Sequence, residues 1–216
     1  MEKAMSHPVP ATLYRIGAAA GCGSAVILLI NAGKRAEVIP TSAFTQLVAP
    51  LAQILALALV TALYFAFGRR AGTFGLVAFL LNAFSLAALV GVEFVLNLVF
   101  ADLPGHTIDA LRAGTLGVAL TVASITFLLG TLGYVAAMLR SREVPTVPLA
   151  LYVVGAVPVS LRAFVPEAVL DLGLVVLAVG IAWLSIWLFN HASRVTTWAD
   201  HAVTDAPLAG SKRGSE

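Results

Sequence analysis

The sequence predicts an all-α membrane protein, a bundle of six transmembrane helices with both termini in the cytoplasm. Three observations carry that expectation. Of the 216 residues, 60% are hydrophobic and 11% charged, with a mean hydropathy of +0.96, whereas ordinary soluble domains are about 25% charged. Charge-free apolar runs recur that meet the roughly 20 residues a helix needs to cross the hydrocarbon core. The basic residues, finally, divide unevenly between loops on alternate sides.

A short arm, residues 1–12, leads into the first span, 13–31. This span carries Gly17-Ala18-Ala19-Ala20-Gly21, a pattern of small residues that lets two backbones approach; packing within the chain is expected there rather than dimerisation. The stretch Ala19-Ala20-Gly21-Cys22 resembles a lipoprotein cleavage box. Only about six apolar residues follow Arg15 before Cys22, fewer than the 7–15 of a signal h-region, so Cys22 is expected to pack inside the helix.

The second span, 44–67, follows a run charge-free from Val38 to Gly68. Pro40, Thr41 and Ser42 are assigned to the preceding loop or the helix start, and Pro50 interrupts the helix between Gln46 and Gln53. The third span, 73–100, contains Glu93. The segment Leu103-Pro104-Gly105-His106-Thr107-Ile108-Asp109 reads as a turn and helix start, with Thr107 as N-cap and Asp109 in the first turn. In the fourth span, 113–139, Thr115, Thr121, Ser124, Thr126 and Thr131 have the backbone or a neighbouring helix as partners. The fifth, 147–165, is short, contains Pro158 and ends with Arg162 just before Pro166, so a kinked or tilted span is expected. The sixth, 169–190, is followed by a polar tail, 191–216, expected to be disordered. Trp187 and Trp198 suit the inner interface belt. With loops this short, a second folded domain is not expected.

Lysine and arginine set the orientation, because positively charged loops resist translocation. Lys3, Arg15, Arg69, Arg70, Arg140, Arg142, Arg194, Lys212 and Arg213 fall on the side of the termini, against Lys34, Arg35, Arg112 and Arg162 on the other. Nine against four places the termini inside, with Arg69-Arg70 and Arg140-Ser141-Arg142 as topology anchors; contact with anionic lipid or a partner is the competing role for these pairs.

Several chemistries are excluded. No basic stripe marks a nucleic-acid surface, and one cysteine makes no disulfide or zinc pair. His7, His106, His191 and His201 lie outside the spans or at their edges, which removes a membrane haem with paired histidine ligands. Neither an HExxH motif nor a phosphate-cradling GxxxxGK[ST] loop is present. His106, between Gly105 and Thr107, reads as an exposed loop residue rather than a catalytic base. No metal or other cofactor is implied.

The residue that stands apart is Glu93, in a run otherwise apolar from Ala71 to Ala101; burying that charge costs about 3 kcal/mol on insertion scales. At 100° per residue Asn82, Leu89, Glu93 and Asn97 share one face of the third helix, with Ser85 nearby. Gln46, Gln53 and Tyr64 share one face of the second. These stripes predict a common interior seam in the outer half of the membrane. An ion pair between Glu93 and Arg162 is expected there, with Asn97 or Gln53 completing the hydrogen bonds and Arg112 as competing partner. Two meanings attach to the cluster: a structural pair that fixes helix packing, or a site for a proton, cation or small polar ligand opening outwards. A third option is a Glu93 that snorkels to the interface.

The layout resembles a family of bacterial integral membrane proteins classed among the domains of unknown function. The similar features are Arg15 and Gly17 opening helix one, Val92-Glu93-Phe94-Val95-Leu96-Asn97-Leu98 closing helix three, and the hairpin from Leu132-Gly133-Tyr134 through Arg140-Ser141-Arg142-Glu143-Val144-Pro145. Thr146 stands where that family commonly has an arginine after the hairpin proline. The alanine-rich, lysine-poor composition is similar to that of high-GC actinobacteria, which implies a bacterial plasma membrane. The resemblance bears on fold and not on mechanism. The expected function is that of a non-enzymatic structural, accessory or interaction subunit, with the bilayer as environment and another membrane protein or a second copy as partner. The alternatives are a small transporter or channel-like protein using Glu93, and a membrane-embedded enzyme.

Overall fold

A computed structural model describes residues 10–204, which form helices and short connections with no strand among them. Helix α1 (Ala11–Arg35) is followed by the short α2 (Ala43–Val48) and α3 (Leu51–Ala66). A 3-10 turn, Gly68–Ala71, leads into α4 (Gly72–Phe94), which runs on through a π-helical turn, Val95–Val99, and a 3-10 turn, Phe100–Asp102. Then come α5 (Gly105–Ala113), α6 (Thr115–Ser141), α7 (Thr146–Ser160) and α8 (Glu167–Thr204). Five stretches are long and apolar enough to cross a membrane: Ala11–Arg35, Ala43–Ala66, Gly68–Asp102, Thr115–Ser141 and Glu167–Ser193.

Several expected boundaries shift. The first helix starts at Ala11, inside the expected arm, and continues to Arg35, so Lys34 and Arg35 belong to its last turn rather than to a loop. The second span is interrupted at Ala49-Pro50, as expected from Pro50, because proline has no N–H for the ladder. Ser42 is the helix start: its hydroxyl accepts from the Thr45 N–H at 3.3 Å while the Ser42 N–H donates to the Thr45 hydroxyl at 3.0 Å. The expected fourth span is α6 with its start moved to Thr115, and the segment before it forms a separate helix, α5, set apart by the extended backbone of Gly114. Thr107 is not an N-cap, since α5 begins at Gly105 and the Thr107 N–H donates to the Pro104 carbonyl. The fifth helix stops at Ser160, and its 15 residues cover about 22 Å at 1.5 Å per residue, short of the roughly 30 Å hydrocarbon core. The sixth continues beyond 190 to Thr204, through the first part of the expected tail. Residues 1–9 and 205–216, and the Trp198 side chain, lie outside what is described.

The helices close a ring in chain order: α1 packs on α3, α3 on α4, α4 on α6, α6 on α7, α7 on α8, and α8 back on α1, with α6 and α7 the least intimate of these neighbours. Small residues bring the backbones together. Gly17 and Gly21 face Ala62 and Leu59 of α3, and Gly21 also faces Ser185 of α8, so the expected packing within the chain is what uses this pattern. Between α7 and α8, a side chain at Gly155 would strike the Leu177 backbone, and one at Gly180 would stand 2.7 Å from the Tyr152 N–H nitrogen.

The exterior is apolar as well as the core, unlike that of a soluble protein. The interior holds Ser24, Asn82, Ser85, Thr131 and Ser185 together with alanines and leucines, while Ile16, Val26, Phe84, Val122, Val154, Leu172 and Ile186 are exposed. Apolar groups on the outside cost nothing against lipid, and polar groups inside can find partners. Charges collect at the two ends. At one end Arg15 donates to Ser193, Arg70 pairs with Glu143, and Arg140 lies 4.3 Å from the Phe74 ring centroid; Arg69 and Arg142 belong to the same end, on the turn before α4 and just after α6. The far end holds the ends of α1 and α7, the start of α8 and all of α5.

Candidate functional site

At the far end lies a cavity of about 290 Å³ whose polar wall combines Asn31, Lys34 and Arg35 of α1, Gln53 of α3, Glu93 and Asn97 at the end of α4, Arg112 of α5 and Arg162 after α7. The fold delivers these residues by ending helices at the same level. The extra length of α1 carries Lys34 and Arg35 to the rim, and the α7–α8 glycines hold the turn bearing Arg162 against the start of α8.

Glu93 is the centre of the network. Its Oε1 stands 3.6 Å from Arg162 Nη1, and its Oε2 accepts from Asn97 Nδ2 at 2.9 Å. The same Asn97 Nδ2 lies 3.0 Å from the Glu93 carbonyl oxygen, and Asn97 Oδ1 accepts from Lys34 Nζ at 3.2 Å. Lys34 Nζ also donates to the Thr45 carbonyl oxygen at 3.3 Å. One chain of contacts thus runs from α2 through α1 and α4 to the end of α7. The π-helical turn begins two residues after Glu93. Such a turn widens the ladder by one residue, and Asn97 caps the widened segment through the Glu93 carbonyl.

Arg35 has its own partners at the rim, Asp171 at 2.8 Å and Glu167 at 3.8 Å. Arg112 does not: among the described residues it has no carboxylate within ion-pair distance, and its guanidinium lies 5.4 Å from the Phe100 ring centroid. Four cations therefore line the cavity against the single carboxylate of Glu93, and counting Asp171 and Glu167 on Arg35 still leaves an excess of one positive charge. Deeper in, the Asn31 side chain is buried and its Oδ1 has no hydrogen-bond partner.

The expected site residues separate into two groups. Glu93, Arg162, Asn97 and Gln53 come together at this cavity, with Arg112 beside them. Asn82 does not join them: it is fully buried in the body of the bundle, where the Tyr152 hydroxyl faces it and Thr131 without meeting strict hydrogen-bond geometry. Its place on the Glu93 face is real, but eleven residues of helix, about 16 Å at 1.5 Å per residue, separate the two levels. Gln46 sits on α2, above the Pro50 break, and does not line the cavity. Asn31, Lys34, Arg35 and Asp171 escaped sequence reasoning. Lys34 and Arg35 read from the sequence as loop charges, because Asn31 and Gly33 are residues at which helices commonly end; α1 nevertheless runs through both to Arg35.

The arrangement can bind charge and exchange hydrogen bonds. It holds no histidine, cysteine or serine, and among the described residues no group of three metal-ligating side chains occurs. Compared with family models, with curated proteins and with solved structures, the chain finds no match.

Proposed function

We propose that this is a multi-pass protein of a bacterial plasma membrane, with six helices and cytoplasmic termini, whose function is to bind an anionic ligand in the cavity at its outer end. The excess of basic residues around the termini supports the orientation. One observation carries the binding function: all four lysines and arginines of the far end, Lys34, Arg35, Arg112 and Arg162, line the same cavity. That end also carries six carboxylates, Glu37, Glu93, Asp102, Asp109, Glu167 and Asp171. Only Glu93 reaches the cavity wall. Four cations on the wall, set against Glu93 there and against Asp171 and Glu167 on Arg35, leave one net positive charge, which favours an anion entering from the outer side. Its volume is close to the lower end of the 300–1,000 Å³ range of ligand sites.

A transporter or a receptor-like accessory subunit fits this reading better than an enzyme, because the wall gathers charge without a serine, cysteine or histidine beside it. The competing role, a structural pair, draws on the Lys34–Asn97–Glu93 chain, which ties α1 to α4. Thermal unfolding of the purified protein with phosphate, glycerol 3-phosphate, citrate or uncharged sugars separates the two. An anion at 100 times its Kd raises stability by about 2.7 kcal/mol, and Arg112→Gln should cut that response at least tenfold in apparent affinity. Equal indifference to every anion and to this substitution sinks the binding function and leaves the structural one.

A further inference from the structure

We propose that the anion is the head group of a membrane phospholipid carrying a hydroxyl, and that its acyl chain leaves the cavity sideways, between α6 and the turn after α7. This deepens the proposed anion site and rests on it. A second hollow, of about 270 Å³, adjoins the first, and Arg112, Arg162 and Leu96 line both. Beyond the arginines its walls become mainly apolar, with Leu120, Ile125 and Phe164, interrupted by the hydroxyl residues Thr121, Ser124 and Ser160. The hollow opens where the ring of helices is least closed. The surface around it belongs to lipid: Val118 is 64% exposed, Val122 57% and Phe164 81%.

Two guanidinium groups at the junction of a polar cavity and a lipid-facing apolar groove match the phosphodiester of a phospholipid, which joins a polar head to hydrocarbon. A solute without a chain fills only half of this space. Arg112 adds a second argument. It is exposed at the lipid-facing side with, among the described residues, no carboxylate at ion-pair distance, so its guanidinium is open to an anion, and lipid phosphates lie at the interface where it stands. Asn31 adds a third. Its buried Oδ1 lacks a donor, which a head-group hydroxyl provides and a fully ionised phosphate does not. Phosphate between Arg112 and Arg162, a glycerol-like head towards Asn31, and one chain along Ile125 and Phe164 account for both hollows at once.

The test is native mass spectrometry of the full chain in detergent, titrated with dioleoylphosphatidylglycerol, dioleoylphosphatidylcholine and glycerol 3-phosphate. Dioleoylphosphatidylglycerol should bind saturably and at least tenfold more tightly than either comparison. Arg112→Gln should weaken it at least tenfold. Ser124→Phe, which plugs the groove, should do the same while leaving glycerol 3-phosphate binding unchanged; Thr121→Phe, at an exposed position of the same groove, serves as a second plug, and retention of the unfolding midpoint selects the variant used. If glycerol 3-phosphate binds as tightly as the lipid and both plugs are silent, the lipid inference is overturned and the anion site stands. If no anionic probe exceeds dioleoylphosphatidylcholine, or Arg112→Gln changes nothing, both fall.

Discussion

Glu93→Gln should make the protein less stable and a better anion binder at the same time. The pair Glu93–Arg162 is separated by 3.6 Å, with side chains 18% and 29% exposed. At an effective dielectric near 20 the gross attraction is about 4–5 kcal/mol. Desolvation of two partly buried ions offsets most of it, which leaves a coupling of about 1–2 kcal/mol. Glutamine keeps the shape and an oxygen for Asn97 Nδ2 at the 2.9 Å contact, so the loss should stay within that figure rather than reach the cost of a broken core. Meanwhile Glu93 acts as a resident competitor for Arg162. Its neutralisation frees a guanidinium and raises the cavity charge by one, so anion affinity should rise about threefold to tenfold, or roughly 0.7–1.4 kcal/mol. The assay is a double-mutant cycle with Arg162→Gln, read by detergent unfolding, alongside titration with the best-binding anion. A coupling below about 0.3 kcal/mol, or an affinity that falls in Glu93→Gln, refutes the reasoning.

Further outcomes follow from other parts of the bundle. Tyr134→Phe removes a buried hydrogen bond to the Val60 carbonyl oxygen at 2.8 Å and should cost about 1 kcal/mol in unfolding measurements. Thr131→Val should lie within about 0.5 kcal/mol of neutral or stabilise, because the lost hydroxyl is buried without a partner; a large loss would mean that a hydrogen bond to Asn82 or Tyr152 forms after all. Gly155→Ala drives a methyl towards the Gly173 carbonyl oxygen, 2.7 Å away, and should destabilise by about 1–3 kcal/mol and weaken anion binding by displacing Arg162. In a Cys22→Ala background, Ala101→Cys at the exposed cavity rim should react with an impermeant maleimide in intact cells, and Ser141→Cys only after permeabilisation. The reverse pattern would invert the orientation.

The helical, membrane-embedded character was legible because it depends on bulk properties. Charge-free runs and hydropathy do not need the right register to identify apolar helices. Boundaries depended on single residues, and these behaved unequally. Ser42 could be anticipated as a start because a capping box is local. Pro50 interrupts the second span where its missing N–H dictates, whereas α7 stops at Ser160 although apolar residues continue after it. The Glu93–Arg162 contact could be anticipated because an intramembrane carboxylate needs a cation and depth narrows the choice.

The rest of the cavity was hidden because it is a property of how helix ends meet. Lys34 and Arg35 read as loop charges only if the first helix stops near residue 31; one more turn keeps them on the same side and brings them to Asn97 and Asp171. The same applies to Arg112, which the Gly114 break holds at the end of a separate helix beside Arg162. These four residues stand on the side where positive charge is disfavoured during insertion. The insertion rule alone explains a small number of cations there, but it gives no reason for all of them to share one wall. Charges scattered by insertion would be expected at separate loop tips, where water solvates each at little cost. Gathering them into one pocket raises their mutual repulsion, and an anion bound among them reverses the sign of that term. On the proposed reading the ligand adds to what Glu93, Asp171 and Glu167 already offset, and Arg112, with no carboxylate at ion-pair distance among the described residues, is where its charge would belong.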